Sequence, residues 1–356
     1  MEYLISLLAY TLRYLDTVLQ LEIMEEAVPA MQPVFDFFNS HFRLGAGYSS
    51  TCDVTLHIYP YTDFQRNHFV EAIFSPIVIR KSSASDFNLY GDKAVLPNEE
   101  IIDSPHTGTA VVFHAEDNMC DLYISKGSKV QVIELIRDIV IKLEESRGSL
   151  ILHASSAVKD GMAYALVGSK GAGKSTLLFD LVGHQGYDFL TGDKLFLRIG
   201  EEGIVAYGWP DYPHVGYGTI LGYPILVENL QALGHQIDPA QSGKKILFSA
   251  ECLQKSLGFS YVQEPMPLYG IIFPNVQGVG NTSIQLLESV DSSLVLEHLE
   301  FSSENPFAHW HGFLNSIPHI ELASVEERLG KLLQNCKYVS IVGQGPLTAQ
   351  QMEVLL

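Results

Sequence analysis

Basic side chains are scarce in this chain: 22 Lys+Arg stand against 41 Asp+Glu, for a formal net charge of -19. Broad contact with nucleic acid or anionic lipid needs a cationic face, so neither partner is expected. One small phosphorylated ligand, held by backbone amides and a single lysine, stays compatible with the balance. Cysteine is equally sparse. Cys52, Cys120, Cys252 and Cys336 are far apart and form no CxxC pair, which leaves neither a zinc knuckle nor a disulfide framework and favours a reduced, cytoplasmic setting. Long apolar runs are missing too. The stretch from Leu4 to Leu12 is followed by Arg13 and Asp16, far short of the roughly 20 residues of a membrane span. It also lacks the basic leader and small-x-small cleavage site of a signal peptide, so an amphipathic helix is expected there.

At 47% hydrophobic and 18% charged residues, the chain has a globular rather than a disordered composition. Its 356 residues amount to one large domain or two ordinary ones. Leu4, Leu7, Leu8, Leu12 and Leu15 recur at helical spacing, and Val18, Leu19, Leu21 and Ile23 suggest a strand. Further strands are read at 54–59, 74–80, 108–114 and 121–125, separated by turn-rich pieces at 44–50 and 81–92. His57, His68, His106 and His114 are scattered without ligand spacing. The pair His309 and His311 has no third ligand in step with it, so structural or surface roles rather than metal binding are expected for all six.

The texture changes at Gly127-Ser128. Val132, Ile133, Leu135, Ile136, Ile139, Val140 and Leu143 mark a helix with Ser128 as its cap. Strand and helix then alternate: 150–154, 163–167, a helix from 173 or 174 to about 182, and 189–191. A boundary near 126–129 therefore divides a smaller, mainly β (α+β) N-terminal domain, residues 1–128, from an α/β domain, residues 129–356.

The strongest signal is Gly168-Ser169-Lys170-Gly171-Ala172-Gly173-Lys174-Ser175-Thr176, which satisfies GxxxxGK[ST] between an apolar strand and a helix. Glycines let successive N–H groups turn onto phosphate oxygens, and the helix N-terminus adds its positive end. Lys174 suits the β- and γ-phosphates, and the Ser175 hydroxyl suits Mg²⁺. About twenty residues on, Gly186 to Asp193 reads as turn, strand and a carboxylate at the strand end. Asp193 is the candidate to hold Mg²⁺ or to accept a proton from an attacking hydroxyl.

Leu152-His153-Ala154-Ser155, the loop 168–176 and the segment 186–193 together resemble the C-terminal domain of HPr kinase/phosphorylase and its looser relatives, which share a phosphoenolpyruvate carboxykinase-like nucleotide fold. Tyr207-Gly208-Trp209-Pro210, Gly218-Thr219 and Ile271-Ile272-Phe273-Pro274 extend the resemblance over about residues 129 to 300. It implies a P-loop kinase domain with a mixed sheet, binding ATP and Mg²⁺ at residues 168–176, with Ser175 and Asp193 on the metal and Lys174, Asp193 and His153 in the catalytic group. Two departures stand out. The family commonly carries two adjacent aspartates where this chain has Gly192 and Asp193, and the loop by which true HPr kinases contact their protein substrate has no copy here. Residues 212–223 read instead as an aromatic, glycine-rich segment able to cover a site. Lys244, Lys245 and Lys255 could face a phosphate or serve as solvated surface charges. The expected activity is transfer of the ATP γ-phosphoryl group to a hydroxyl of a peptide, a protein or a small-molecule alcohol. The alternative is a catalytically weakened, ATP-binding regulatory or scaffold protein; a homo-oligomer fits either.

Overall fold

The computed structural model describes residues 7–81, 88–114, 117–201, 203–211, 214–236, 245–248, 250–276, 282–304, 310–315, 322–343, 347–348 and 351. Its contacts group into two compact units, Met1–Arg147 with Phe301–His319, and Gly148–Glu300 with Ile320–Leu356.

The first unit is built on β1 (Leu7–Tyr14), β2 (Thr17–Met24), α1 (Val28–Phe38), β3 (Arg43–Ala46), β4 (Val54–Pro60), β5 (Ser75–Arg80), β6 (Leu89–Val95), β7 (Glu99–Ser104), β8 (Thr109–His114), β9 (Met119–Ile124) and α2 (Lys129–Ser146). Its nine strands form one sheet in the order β3-β1-β2-β4-β9-β8-β7-β6-β5. Around β4 the pairing is parallel, to β2 and to β9, and elsewhere it is antiparallel. Leu19, Leu21, Ile23, Leu56, Ile58 and Leu122 on these central strands are fully buried, as are Met31, Val34 and Phe38 of α1.

Leu4 lies outside the described residues, and the opening leucines from Leu7 onward are not helical. Residues 7–14 form a strand paired antiparallel with β2, from Leu7↔Met24 to Tyr14↔Thr17. Leu12 and Tyr14 are buried with Arg13 exposed between them, the period of two that a pleated strand imposes. Leu15, at φ 49°, turns the chain back on itself, and Tyr10 and Thr11 favour the extended state. Sheet pairing overrides the helical spacing. β6 likewise runs into the segment read as turns: Gly91, Asp92 and Lys93 are weak strand formers, but β5 and β7 pair it on both sides.

Helix α2 buries Val132, Ile133, Leu135, Ile136, Ile139 and Val140, the apolar girth of an interior helix. Its end is tied into the first unit. The fully buried Glu144 carboxylate accepts Thr17 N at 3.1 Å and Thr17 Oγ1 at 2.7 Å, and Arg147 pairs with Asp53. The returning segment joins the same unit: Ser302 N donates to Glu145 at 2.8 Å, and Lys142 Nζ donates to Phe313 O at 2.9 Å. The division therefore falls after Arg147, not near 126–129, because α2 belongs with the sheet of the first unit. Ser128 stands at the N-cap position of α2, where its carbonyl accepts Val132 N at 3.0 Å, but its side chain makes no capping bond. Its hydroxyl donates to Gly108 O at 2.9 Å and accepts Ser125 N at 2.8 Å.

The second unit comprises β10 (Leu150–Lys159), β11 (Met162–Val167), α3 (Lys174–His184), β12 (Asp188–Thr191), β13 (Lys194–Ile199), β14 (Ile204–Tyr207), β15 (His214–Gly216), α4 (Tyr217–Ile220), α5 (Pro224–Ala232), β16 (Lys245–Leu247), α6 (Ala250–Leu257), β17 (Met266–Asn275), β18 (Ser283–Leu287), α7 (Ser293–Leu296), β19 (Leu299–Glu300), α8 (Leu322–Leu333) and β20 (Lys337–Val342). The main path of its sheet runs β11-β10-β13-β14-β17-β20-β18. β11, β17 and β20 are mutually parallel, while β10 is antiparallel to β11, β12, β13 and β19. The chain is thus mixed α/β with large mixed sheets. Leu177, Leu178 and Leu181 of α3 enter a core with Ile272, Val339, Leu226 and Leu253. The segment read as a covering loop is, in its described part, β15 paired with β16 followed by α4; Val215, Tyr217, Ile220 and Tyr223 are buried in that core. Aromatic content that suggested a lid is what anchors it. Among the described residues no helix is long and apolar enough to cross a membrane.

Candidate functional site

The motif 168–176 joins the end of β11 to the start of α3. Gly171 and Gly173 take φ 89° and 98°, a region that costs residues with a Cβ. At Gly173 the need is also steric, since a Cβ would lie 2.7 Å from Val276 Cβ. Val276 N donates to Ala172 O at 2.9 Å and Ala172 N to Ser169 O at 3.1 Å, which holds the loop against the residue after β17. The N-cap residue of α3 is Gly173, which has no side chain to cap the N–H groups of the first turn.

Lys174 Nζ donates to Gly168 O at 2.5 Å, folding the lysine over its own loop. Burial lowers its pKa, the Asp193 charge opposes that, and Lys245 and Glu300 act in opposite directions more weakly. Asp193 follows β12 in a tight turn that is fixed from three sides. Ser155 Oγ donates to Gly192 O at 2.6 Å, and Thr191 Oγ1 donates to Lys194 O at 2.7 Å, with Trp209 O 3.3 Å from the same hydroxyl.

His153 lies on the half of β10 that pairs with β13 and next to β19. Its Nδ1 is 3.0 Å from Glu300 Oε1 and 3.8 Å from Asp193 Oδ1. Glu300 also pairs with Lys194. Burial raises the Glu300 pKa, but the His153 hydrogen bond and the Lys194 charge outweigh it and bring the group to about 2. Of the site residues read from the sequence, His153 on β10 and Asp193 in the turn after β12 thus stand together, and Lys174 on the loop is coupled to Asp193 in charge.

Three further residues join them. Lys194 adjoins Asp193 in sequence, which was a usable signal. Glu300 lies 147 residues beyond His153, and only the β10–β19 pairing brings it there. Asp211 follows Trp209-Pro210, and its Oδ2 is 3.7 Å from where a Gly192 Cβ would stand, with Phe189 Cζ at 3.6 Å. Gly192 therefore has room for a side chain and faces a carboxylate already supplied from another loop. Lys245 acts on Lys174 through space, whereas Lys255 is an exposed partner of Glu251 at 2.5 Å. Lys244 and His309 lie outside the described residues. His311 is fully buried, as expected of a structural histidine.

Among the described residues no group of three or more His, Cys, Asp or Glu side chains is arranged to hold a metal ion. Mg²⁺ in phosphate sites needs less, commonly one or two carboxylates with substrate oxygens completing the shell. Ser175 and Asp193 offer hard oxygen donors of that kind, while Glu300 is engaged by Lys194 and His153.

No protein-family model matches this chain, and no curated protein matches it.

Proposed function

We propose that the second unit binds ATP through residues 168–176 and transfers its γ-phosphoryl group to a hydroxyl, in the manner of an HPr kinase-related enzyme with a carboxykinase-like nucleotide fold. The observation that carries this reading is the loop between β11 and α3, with Lys174 over its own loop and coupled in charge to Asp193. Backbone N–H groups of the loop and of the first turn of α3 orient the triphosphate, and Lys174 offsets charge on its β- and γ-oxygens. Mg²⁺, when bound by Ser175 Oγ and the Asp193 carboxylate, supplies further charge neutralisation there. As the acceptor oxygen bonds to the γ-phosphorus, the bond from that phosphorus to the β-γ bridging oxygen breaks and ADP leaves. The acceptor's proton passes to the Asp193 carboxylate, which the anchored turn carries beside His153. Glu300, paired with Lys194, holds His153 beside Asp193 and so sets the charge around it. A peptide, a protein or a small-molecule alcohol makes the same demand on these groups.

The second reading, a nucleotide-binding regulatory or scaffold protein, draws on Gly192, where a second carboxylate would fit but is not encoded. The test is Mg²⁺-dependent release or transfer of the γ-phosphate by the full chain and by Asp193→Asn. The account expects at least a hundred-fold loss of turnover with ATP binding retained. Equal turnover in both proteins contradicts the role given to Asp193, and ATP binding without turnover in the unaltered chain favours the second reading.

A further inference from the structure

A second histidine, which the chemistry above does not use, stands opposite His153. The antiparallel pairing of β10 with β19, Ile151↔Glu300 and Leu152↔Leu299, continues into a bond from His153 N to His298 O at 2.8 Å. On the other side of β10, His153 is in register with Lys194. Residues opposite one another on antiparallel strands carry their side chains on one face, so Lys194, His153 and His298 form a row across three strands. Glu300, two residues beyond His298, shares that face and is engaged by His153 and Lys194. His298 is held at both ends of its backbone, because its N also donates to the O of the fully buried Val295 at 3.0 Å. Its side chain is 18% exposed, with Nε2 3.7 Å from Oε1 of the largely exposed Glu297. Burial is the main influence on its proton and holds the pKa below the 6.5 of a free histidine; the Glu297 charge works the other way, and those of Lys174 from α3 and His153 from β10 reinforce the burial.

We infer that His298 is a further phosphate-binding residue, one that takes up a proton from solvent as the triphosphate binds and then acts as a second cation beside Lys174. The inference rests on the reading of residues 168–176 as the triphosphate site. In the free protein the imidazole is neutral at neutral pH, which keeps a third positive charge away from Lys174 and His153. Lys174 belongs at the β- and γ-phosphates. Once phosphate oxygens share its charge, the nearest influence on His298 changes from positive to negative, and a nearby negative charge favours the protonated ring. The ring's place on the row fixes where that charge appears, because its backbone is bonded to β10 on one side and to α7 on the other. A residue of this kind reads charge: a ligand with β- and γ-phosphates draws the proton in, and a monophosphate, held by loop amides away from Lys174, does not. His298 forms no bond to phosphorus, and the proton returns to solvent when the phosphates leave.

Calorimetry of Mg-ATP binding to the full chain, run at about pH 7 in two buffers of unequal ionisation enthalpy, counts the protons taken up and needs no variant. The unaltered chain should take up a few tenths of a proton per ATP, and its ATP affinity should fall about three- to ten-fold between about pH 6 and about pH 8, since the bound state holds more protons than the free one. AMP should bind without uptake. His298→Gln should lose both the uptake and the pH dependence, and His298→Lys, a permanent cation, should bind ATP tightly at both pH values without uptake. ATP binding to the unaltered chain without proton uptake, equal uptake with AMP, or uptake that persists in His298→Gln overturns the role of His298 while leaving the phosphate site standing. Failure of ATP to bind the unaltered chain overturns the phosphate site and this inference together.

Discussion

Replacing Gly173 by alanine puts the loop geometry under direct load. The residue stands at φ 98°, and left-handed backbone costs a residue with a Cβ roughly 1–2 kcal/mol. The new methyl would also lie 2.7 Å from Val276 Cβ and 2.9 Å from Val276 Cγ2. Neither neighbour is the tip of a long flexible chain, so the contact adds about 1–3 kcal/mol of overpacking. Together these predict a loss of about 2–5 kcal/mol, or a loop that leaves its present path and no longer presents its N–H groups. Urea denaturation read with and without Mg-ATP separates the two outcomes: a lowered midpoint with ligand protection retained is strain, and lost protection is a displaced loop. In the Gly173→Ala background, Val276→Gly should recover the steric part and leave the backbone part. A change below about 0.5 kcal/mol, with nucleotide affinity intact, would refute the argument that this glycine is demanded by backbone and packing.

Glu300 has its pKa brought from 4.5 to about 2, so its pairing with His153 and Lys194 contributes stability above the unfolded value that is lost as pH falls through the folded one. Thermal melts should therefore show the chain losing stability between about pH 4.5 and 2 more steeply than Glu300→Gln; parallel profiles would contradict the pairing. A fragment starting at residue 129 should be poorly soluble, because α2 would keep its apolar girth without the strands that bury it, and soluble expression of that fragment would contradict the division after Arg147. Gly192→Asp should leave the fold unchanged, since its Cβ has only ordinary contacts, while the added charge beside Asp211 lowers turnover more than ATP affinity. Turnover equal to that of the unaltered chain would show that the space at Gly192 has no bearing on the chemistry.

Much of the candidate site could be read from the sequence because the pattern that suggests it is local. GxxxxGK[ST] requires consecutive residues, so loop, strand and helix could be read together at 163–182, and Asp193 followed from its place after a short strand. Glu300 was not legible: its role depends on two residues of β19 pairing with β10 across the whole second unit, and no local pattern records such a partner. Asp211 was hidden for the same reason, since it approaches Gly192 only through the turn held by Thr191 and Trp209. Within the fold, long alternating strands such as Val54–Pro60 declared themselves by period. The first strand did not, because leucines at 4, 7, 8, 12 and 15 mimic a helix until β2 and β3 pair with it. Helix α2 was recognised as a helix but assigned to the wrong side of the boundary, since which sheet buries an apolar helix is a tertiary fact.

The central claim is that residues 168–176 hold a triphosphate and that Lys174 shares its charge. Calorimetry of Mg-ATP binding to the full chain and to Lys174→Ala tests it most directly. Charge-assisted hydrogen bonds of this kind contribute about 1.5–3 kcal/mol, so the variant should bind ATP about 10- to 150-fold more weakly while melting at nearly the same temperature as the unaltered protein. Equal ATP affinity in the two proteins, or no binding to either, would contradict the account.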